Sequence, residues 1–207
     1  MSLSLNDIFS LIRDAIVAIS AAIVAILAFW GLNRWRKELA GRAKFELVRN
    51  IMLINNKFVN SFISARNIFT YSGESAGRER KEGESLQETE TLNEWYARAN
   101  RIRPMAENLE KLQELGWEAE SLLDLESSKQ VTETIQIYRK SYAEVIASID
   151  SYFQTRHEEI MNNRPYRDQE WLQELHKHIY GLENDDMSLK IIEAKERLAA
   201  VLKKFIK

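Results

Sequence analysis

The feature that most restricts this chain is the run from Ala15 to Leu32, AIVAISAAIVAILAFWGL, which has no charged residue and a single hydroxyl, Ser20. As a helix rising ~1.5 Å per residue it covers about 27 Å, close to the ~30 Å of a bilayer's hydrocarbon core. Ile8, Phe9, Leu11 and Ile12 extend the apolar character backwards. A buried helix in a domain of this size keeps a polar stripe for water, and this run has none. A cleaved leader needs a basic start and small residues at its end. Here the start is MSLSLND, without Lys or Arg, and the run closes on Phe29-Trp30. The segment therefore reads as an uncleaved membrane anchor.

Its flanks predict an orientation. Arg34, Arg36, Lys37, Arg42 and Lys44 follow the run, whereas Arg13 alone precedes it. The positive-inside bias then places a short N-terminus outside and the rest of the chain in the cytoplasm. Trp30 and Trp35, with Arg34, Arg36 and Lys37, form the expected interfacial belt on the cytoplasmic side. Ala18, Ala22 and Ala25 stand three or four residues apart within the run, and small residues at that spacing let helices approach closely in lipid. Packing of spans, and hence a homo-oligomer, is the expectation.

Beyond residue 33 the composition changes. The 207 residues carry 29% Asp, Glu, Lys and Arg overall, with only two prolines and seven glycines, which favours long helices. The absence of cysteine excludes disulfides, thiolate catalysis and Cys-ligated zinc, and a net charge of -2 argues against a strongly basic polyanion binder. Residues 1–33 are read as the anchor and 34–207 as a helical bundle, an all-α fold of one N-terminal transmembrane helix and four or five antiparallel cytoplasmic helices.

The periodicity divides the bundle. Leu47, Ile51, Ile54, Phe58, Phe62, Ala65 and Phe69 step by three and four, so a helix continues from the span to about Tyr71. Residues 72–85, SGESAGRERKEGES, read as a mobile charged loop without a partner. A second helix is expected from about Leu86 to Leu123, with Leu92, Trp95, Ala99, Ile102, Ala106, Leu109 and Leu112 inward. Pro104 should kink it, and Gly116 should bend or end its last turn. A third, about Ser128 to Met161, has a heptad seam of Val131, Ile135, Tyr138, Tyr142, Val145, Ile149 and Tyr152, with tyrosine hydroxyls expected at the bundle's edge. Asn162-Asn163-Arg164-Pro165 predicts a turn into a fourth helix with Trp171, Leu172, Leu175 and Ile179. A last helix, capped by an Asp, presents Ile191, Ala194, Leu198, Val201 and Phe205.

Candidate chemistry is sparse. The histidines are His157, His176 and His178. Glu174 and His178 lie one turn apart, but no second Glu-x-x-His pair supplies matching metal ligands, so a solvated helix face is the preferred reading and no metal is expected. HEPN-type helical RNases place a His four to six residues after an Arg. Here Arg167 and His176 have eight residues between them, so a nuclease would rest on a degenerate set: His157, His176, Arg164 and Arg167. Arg98, Arg101 and Arg103 follow Trp95-Tyr96, a pattern that could stack and neutralise a nucleotide or RNA. On the helical wheel Trp95 falls on the core face, and a packed Trp with solvated arginines is the preferred reading. No glycine-rich phosphate loop, nucleophile elbow or paired-carboxylate motif occurs, and no cofactor is implied.

The junction FWGLNRWRKELAGRAKFELVRNIM, residues 29–52, resembles a recurrent pattern in uncharacterised bacterial proteins with one N-terminal span and a helical cytoplasmic domain. The layout is also similar to that of the accessory membrane protein of RNA-targeting (type VI-B) CRISPR systems. There an anchor helix joins a HEPN-like domain and the subunits assemble into a pore. The resemblance implies the bacterial inner membrane, homo-oligomers and antiviral permeabilisation, with a membrane-tethered RNase or a scaffold recruiting a partner protein as the alternatives.

Overall fold

Among the described residues the chain forms five α-helices and a closing 3-10 turn, with no strand. The computed structural model describes residues 5–69, 71, 73–162, 169–181 and 185–206, giving only the backbone for 5–8, 10–12, 14 and 15. The helices are α1 (Leu5–Ala65), α2 (Leu86–Leu122), α3 (Leu125–Asn162), α4 (Gln169–Ile179) and α5 (Asp186–Leu202), with the 3-10 turn at Lys203–Phe205. The packing falls into two units divided between Phe45 and Glu46. The end of the apolar run, near residue 33, is thus not where packing begins. From Arg34 to Phe45 every side chain is exposed except the half-buried Lys44.

In the first unit α1 has a stretch long and apolar enough to cross a membrane, with mean hydropathy 2.2 over eighteen residues and none of them buried. The side chains of Ile16 to Leu32 touch nothing that removes them from solvent: Val24 is 65% exposed and Trp30 69%.

In the second unit α1 becomes amphipathic. Leu47, Val48, Ile51, Phe58, Val59, Phe62 and Ala65 are buried, the spacing that gives a helix one apolar stripe. Ile54, expected inside, is half-buried, and Asn55 takes the deep position.

The remaining helices form an antiparallel arrangement. Leu123 and Asp124 alone connect α2 to α3, so the two run side by side in opposite directions. Arg139 accordingly reaches Gln113 at 2.5 Å. Gly116 does not end α2. It faces α3 closely: a Cβ there would lie 2.8 Å from Ile135 Cδ1, so a larger residue would require the end of the isoleucine side chain to shift. α2 also passes through Pro104 as one helix, although proline denies the Asn100 carbonyl its usual donor. Asn108 meets Ser61 and Arg98 meets Ala65, so α2 is antiparallel to α1 as well.

α4 and α5 both run back along α3. Tyr152 faces His176, Ser148 faces His178, and Asp124 pairs with Lys204, a constant antiparallel register across both helices. The five helices therefore make four rods, the last of them broken between Ile179 and Asp185. Asp185 is the N-cap of α5, as expected, accepting from the backbone N–H groups of Met187 and Ser188.

Two inward assignments on α2 and α3 change. On α2 the buried positions are Ala97, Arg98, Ile102, Met105, Leu109 and Leu112, while Trp95 is 40% exposed. Arg98 lies on the same face as Ile102 and satisfies backbone carbonyls inside, while Trp95, one turn earlier on that face, stays largely outside. On α3, Tyr138 is fully buried rather than at the edge. Its hydroxyl donates to Asn55 Oδ1 at 2.6 Å and its ring stacks on Phe58 with centroids 4.2 Å apart. The internal amide is what permits a tyrosine that deep.

Candidate functional site

In the first unit the expected membrane-facing residues lie on one continuous helix. Ala18, Ala22 and Ala25, the expected packing residues, are exposed, as are Trp30, Arg34, Trp35, Arg36 and Lys37. An apolar surface of this length with no cover from its own chain is rare on a protein surrounded by water.

In the second unit, polar residues converge where α1 ends. The last carbonyls of a helix have no intrahelical donor, and cationic side chains can supply one. Arg98 of α2, only 1% exposed, donates to the carbonyls of Ala65 and Asn67 through Nη1 and of Ile68 through Nη2. Arg101 donates to the Asn67 carbonyl at 3.0 Å and to that of Phe69, and pairs with Glu74 at 2.7 Å. The expected pattern of a packed tryptophan with solvated arginines is thus inverted: Trp95 is outside and Arg98 inside. Arg103 is exposed and reaches only Asn100.

Arg66, 2% exposed, performs the same service at the break between α4 and α5. Its Nε donates to the His178 carbonyl at 2.9 Å and Nη2 to that of Lys177 at 3.0 Å. Its Nη1 lies 3.0 Å from both carboxylate oxygens of Asp185 and 2.9 Å from Ser188 Oγ. One guanidinium thus caps the end of α4 and the start of α5. The Gly181 N–H returns a bond to the Arg66 carbonyl, and a Cβ at Gly181 would lie 3.2 Å from the guanidinium carbon. Burial pushes the Asp185 carboxyl up, but Ser188 and Arg66 outweigh it and hold it below its usual range.

Arg98 has no carboxylate of its own. Its guanidinium lies over the Tyr180 ring, 4.4 Å from the centroid, and its Nε is buried without a partner. Tyr180 donates to Glu94 at 2.5 Å and carries the His176 ring on its other contact, centroids 4.0 Å apart. Burial, more than Glu94, pushes the Tyr180 phenol well up. Burial also lowers the His176 imidazole, opposed by Glu94 and aided by Arg98.

The weak catalytic candidates divide. His176 belongs to this network, and His157 has its Nδ1 buried without a partner. Arg164 and Arg167 lie outside the described residues. Glu174 pairs with Lys177 rather than with a metal site, and His178 Nδ1 lies 3.2 Å from Ser148 Oγ. Among the described residues no group of three or more His, Asp or Glu is placed to hold a metal ion.

The charged segment before α2 has partners, where its composition suggests none. Arg78 forms a two-pronged pair with Glu84 at 2.8 and 3.0 Å and donates to Asn93 at 2.7 Å. The Arg78 guanidinium and the Lys81 N–H hold the Glu84 carboxyl down at about 2.

Asn55, Arg66 and Asp185 are what sequence reasoning missed as a set. A signal existed: Asn55 and Arg66 stand on the stripe of Ile51, Phe58 and Phe62, where a polar residue needs a buried partner. Compared with protein-family models, curated proteins and solved structures, the chain has no match.

Proposed function

We propose that this chain is a single-pass, membrane-anchored homo-oligomer of the bacterial inner membrane, with its N-terminus outside and its helical bundle in the cytoplasm. One observation carries the reading: from Ile16 to Leu32 a continuous helix presents large apolar side chains on every face, and none of them is buried. Lipid is the cover that such a surface fits. The alanine ladder through Ala18, Ala22 and Ala25 supports close association of spans, and the basic cluster from Arg34 supports the orientation. In its sharpest form the associated spans permeabilise the membrane as an antiviral effector, with the bundle as the part that responds to a trigger. The eight residues between Arg167 and His176, more than a HEPN-type pair has, make a tethered RNase the weaker reading.

A charge at the centre of a span costs ~2.5–3.5 kcal/mol, about a hundredfold in partition. Val24→Lys should therefore move the protein out of carbonate-washed membranes, while Leu53→Lys, on the exposed side of the bundle, should not. Protease applied to spheroplasts should spare a C-terminal tag. For association, Ala22→Leu should shrink the particle seen by mass photometry in detergent. A wild type that washes off membranes, or that stays monomeric, defeats the corresponding part of the proposal. Dye efflux from vesicles, present in wild type and lost with Ala22→Leu, tests permeabilisation.

A further inference from the structure

We propose that the cavity between the C-terminal part of α3 and α4 binds a nucleoside phosphate. It has a volume of about 450 Å³ and is lined by Tyr152, Arg156, Gln169, Gln173, His176 and Lys177, beside one leucine. A mononucleotide-sized ligand suits the lower part of the usual range for small-molecule sites, ~300–1,000 Å³. The lining combines the three interactions such a ligand uses. Aromatic rings offer stacking to a base, amides offer both donors and acceptors to its edge, and cations offer charge-assisted bonds to phosphate.

Charge separates this cavity from the larger one between α3, α4 and α5. That one, about 720 Å³, shares Lys177 with the smaller cavity and sets it, with Lys140, Lys190 and Arg197, against Glu144, Glu174, Asp185 and Asp186, and so offers an anion no preference. Among the described residues, the lining of the smaller cavity contains no carboxylate. Among the described residues, the carboxylates paired with the lining or beside it include Glu159, 2.6 Å from Arg156, Glu174, 2.8 Å from Lys177, and Glu94 behind Tyr180. The first two are pairs within one helical turn, worth only ~0.2–0.5 kcal/mol each, so a phosphate can displace them. Glu94 is offset by Arg98, which lies on Tyr180 with its buried Nε unpartnered.

His176 has a built position rather than a free one: its ring meets Tyr152 edge-on at 6.1 Å and Tyr180 at 4.0 Å. Desolvation beside these rings keeps the imidazole below its ordinary range, and a phosphate next to it would oppose that shift. The proposal is independent of the membrane reading, since every residue belongs to the second unit.

The test uses the full chain in detergent, titrated calorimetrically with the four ribonucleoside monophosphates, with inorganic phosphate, and with a short oligoribonucleotide. A monophosphate should bind once per chain, more weakly as salt rises. Arg156→Gln and Lys177→Gln should each weaken binding about tenfold, as loss of one charge-assisted contact does. Lys190→Gln, in the other cavity, should leave it unchanged, and all three variants should melt like wild type because these side chains are exposed or half-buried. Binding of the oligonucleotide alone would place the same nucleoside phosphate on an RNA strand instead of a free nucleotide. Inorganic phosphate binding as tightly as any nucleotide overturns the nucleoside part. No binding at millimolar concentration, or binding that both charge variants leave untouched, overturns the site.

Discussion

One helix, α1, shows two different solutions to apolar surface. Between Ile16 and Leu32 its large apolar side chains are 46–69% exposed, whereas between Leu47 and Ala65 the apolar stripe is 0–3% exposed. The backbone bonds are the same in both stretches, and the difference lies in patterning. From Leu47 onward apolar residues occupy one side and Arg49, Asn50, Asn56, Lys57 and Asn60 the other, so the chain's own helices cover the first and water takes the second. Before Leu32 there is no polar side, and none of the apolar side chains is buried. Helical amphipathicity thus marks where a chain supplies its own cover, and its loss marks where something else must.

The largest effect expected from this contrast is at phenylalanines on the two sides of it. Phe58 is fully buried and stacked on Tyr138, so Phe58→Ala should cost ~3–5 kcal/mol of bundle stability through lost transfer energy and a cavity. Phe29 is 69% exposed, and Phe29→Ala should leave the thermal midpoint of the bundle where it is. Circular dichroism melts in one detergent compare them directly. Similar shifts from the two substitutions would break the distinction between covered and uncovered stretches.

A smaller effect tests how the covered half tolerates polar groups. Tyr138→Phe removes the hydroxyl that donates to the Asn55 side chain, which is 2% exposed, and a stranded buried amide costs ~1–3 kcal/mol. Asn55→Leu with Tyr138→Phe removes both polar groups and should recover much of the loss. If the double variant is no better than the single, packing rather than the hydrogen bond governs the site.

How much of this could be read in advance follows the same division. The run from Ala15 to Leu32 and the three- and four-step spacing of Leu47, Ile51, Phe58 and Phe62 are local patterns, and they gave the helices and most of the core. The Asp cap of α5 was legible because an N-cap acts within its own turn. What escaped depends on groups distant in sequence. Nothing near Arg98 announces that it will close the carbonyls of Ala65, Asn67 and Ile68, thirty or so residues away. Arg66 is the same case across more than a hundred residues, answering Lys177, His178 and Asp185. Helix ends generate such demands, and periodicity carries no information about which arginine meets them.

The smallest effect concerns the charged segment, which composition makes look like the most mobile part of the bundle. Glu84 is buried and receives Arg78 through both oxygens, together with the Lys81 N–H and the Thr89 hydroxyl. Its carboxyl is held at about 2, below the ~4.3 of a free glutamate. The sign follows from that depression. Above pH ~4.5 both folded and unfolded chains have the carboxylate ionised, and its contribution to the segment is complete. As pH falls from there toward 2, the unfolded form takes up the proton first, so the contribution drains away over that window and is gone below it. Trypsin at neutral pH should therefore cut wild type slowly after Arg78, Arg80 and Lys81, and cut Glu84→Gln faster, with the global melt little changed. Amide exchange across 78–89 should accelerate in wild type between pH 4.5 and 2 beyond its intrinsic dependence, and the Gln variant should lack that extra acceleration. Rapid cutting of wild type at neutral pH would return the segment to the loop its composition suggests, leaving cover by ion pairs confined to the arginines at the helix ends.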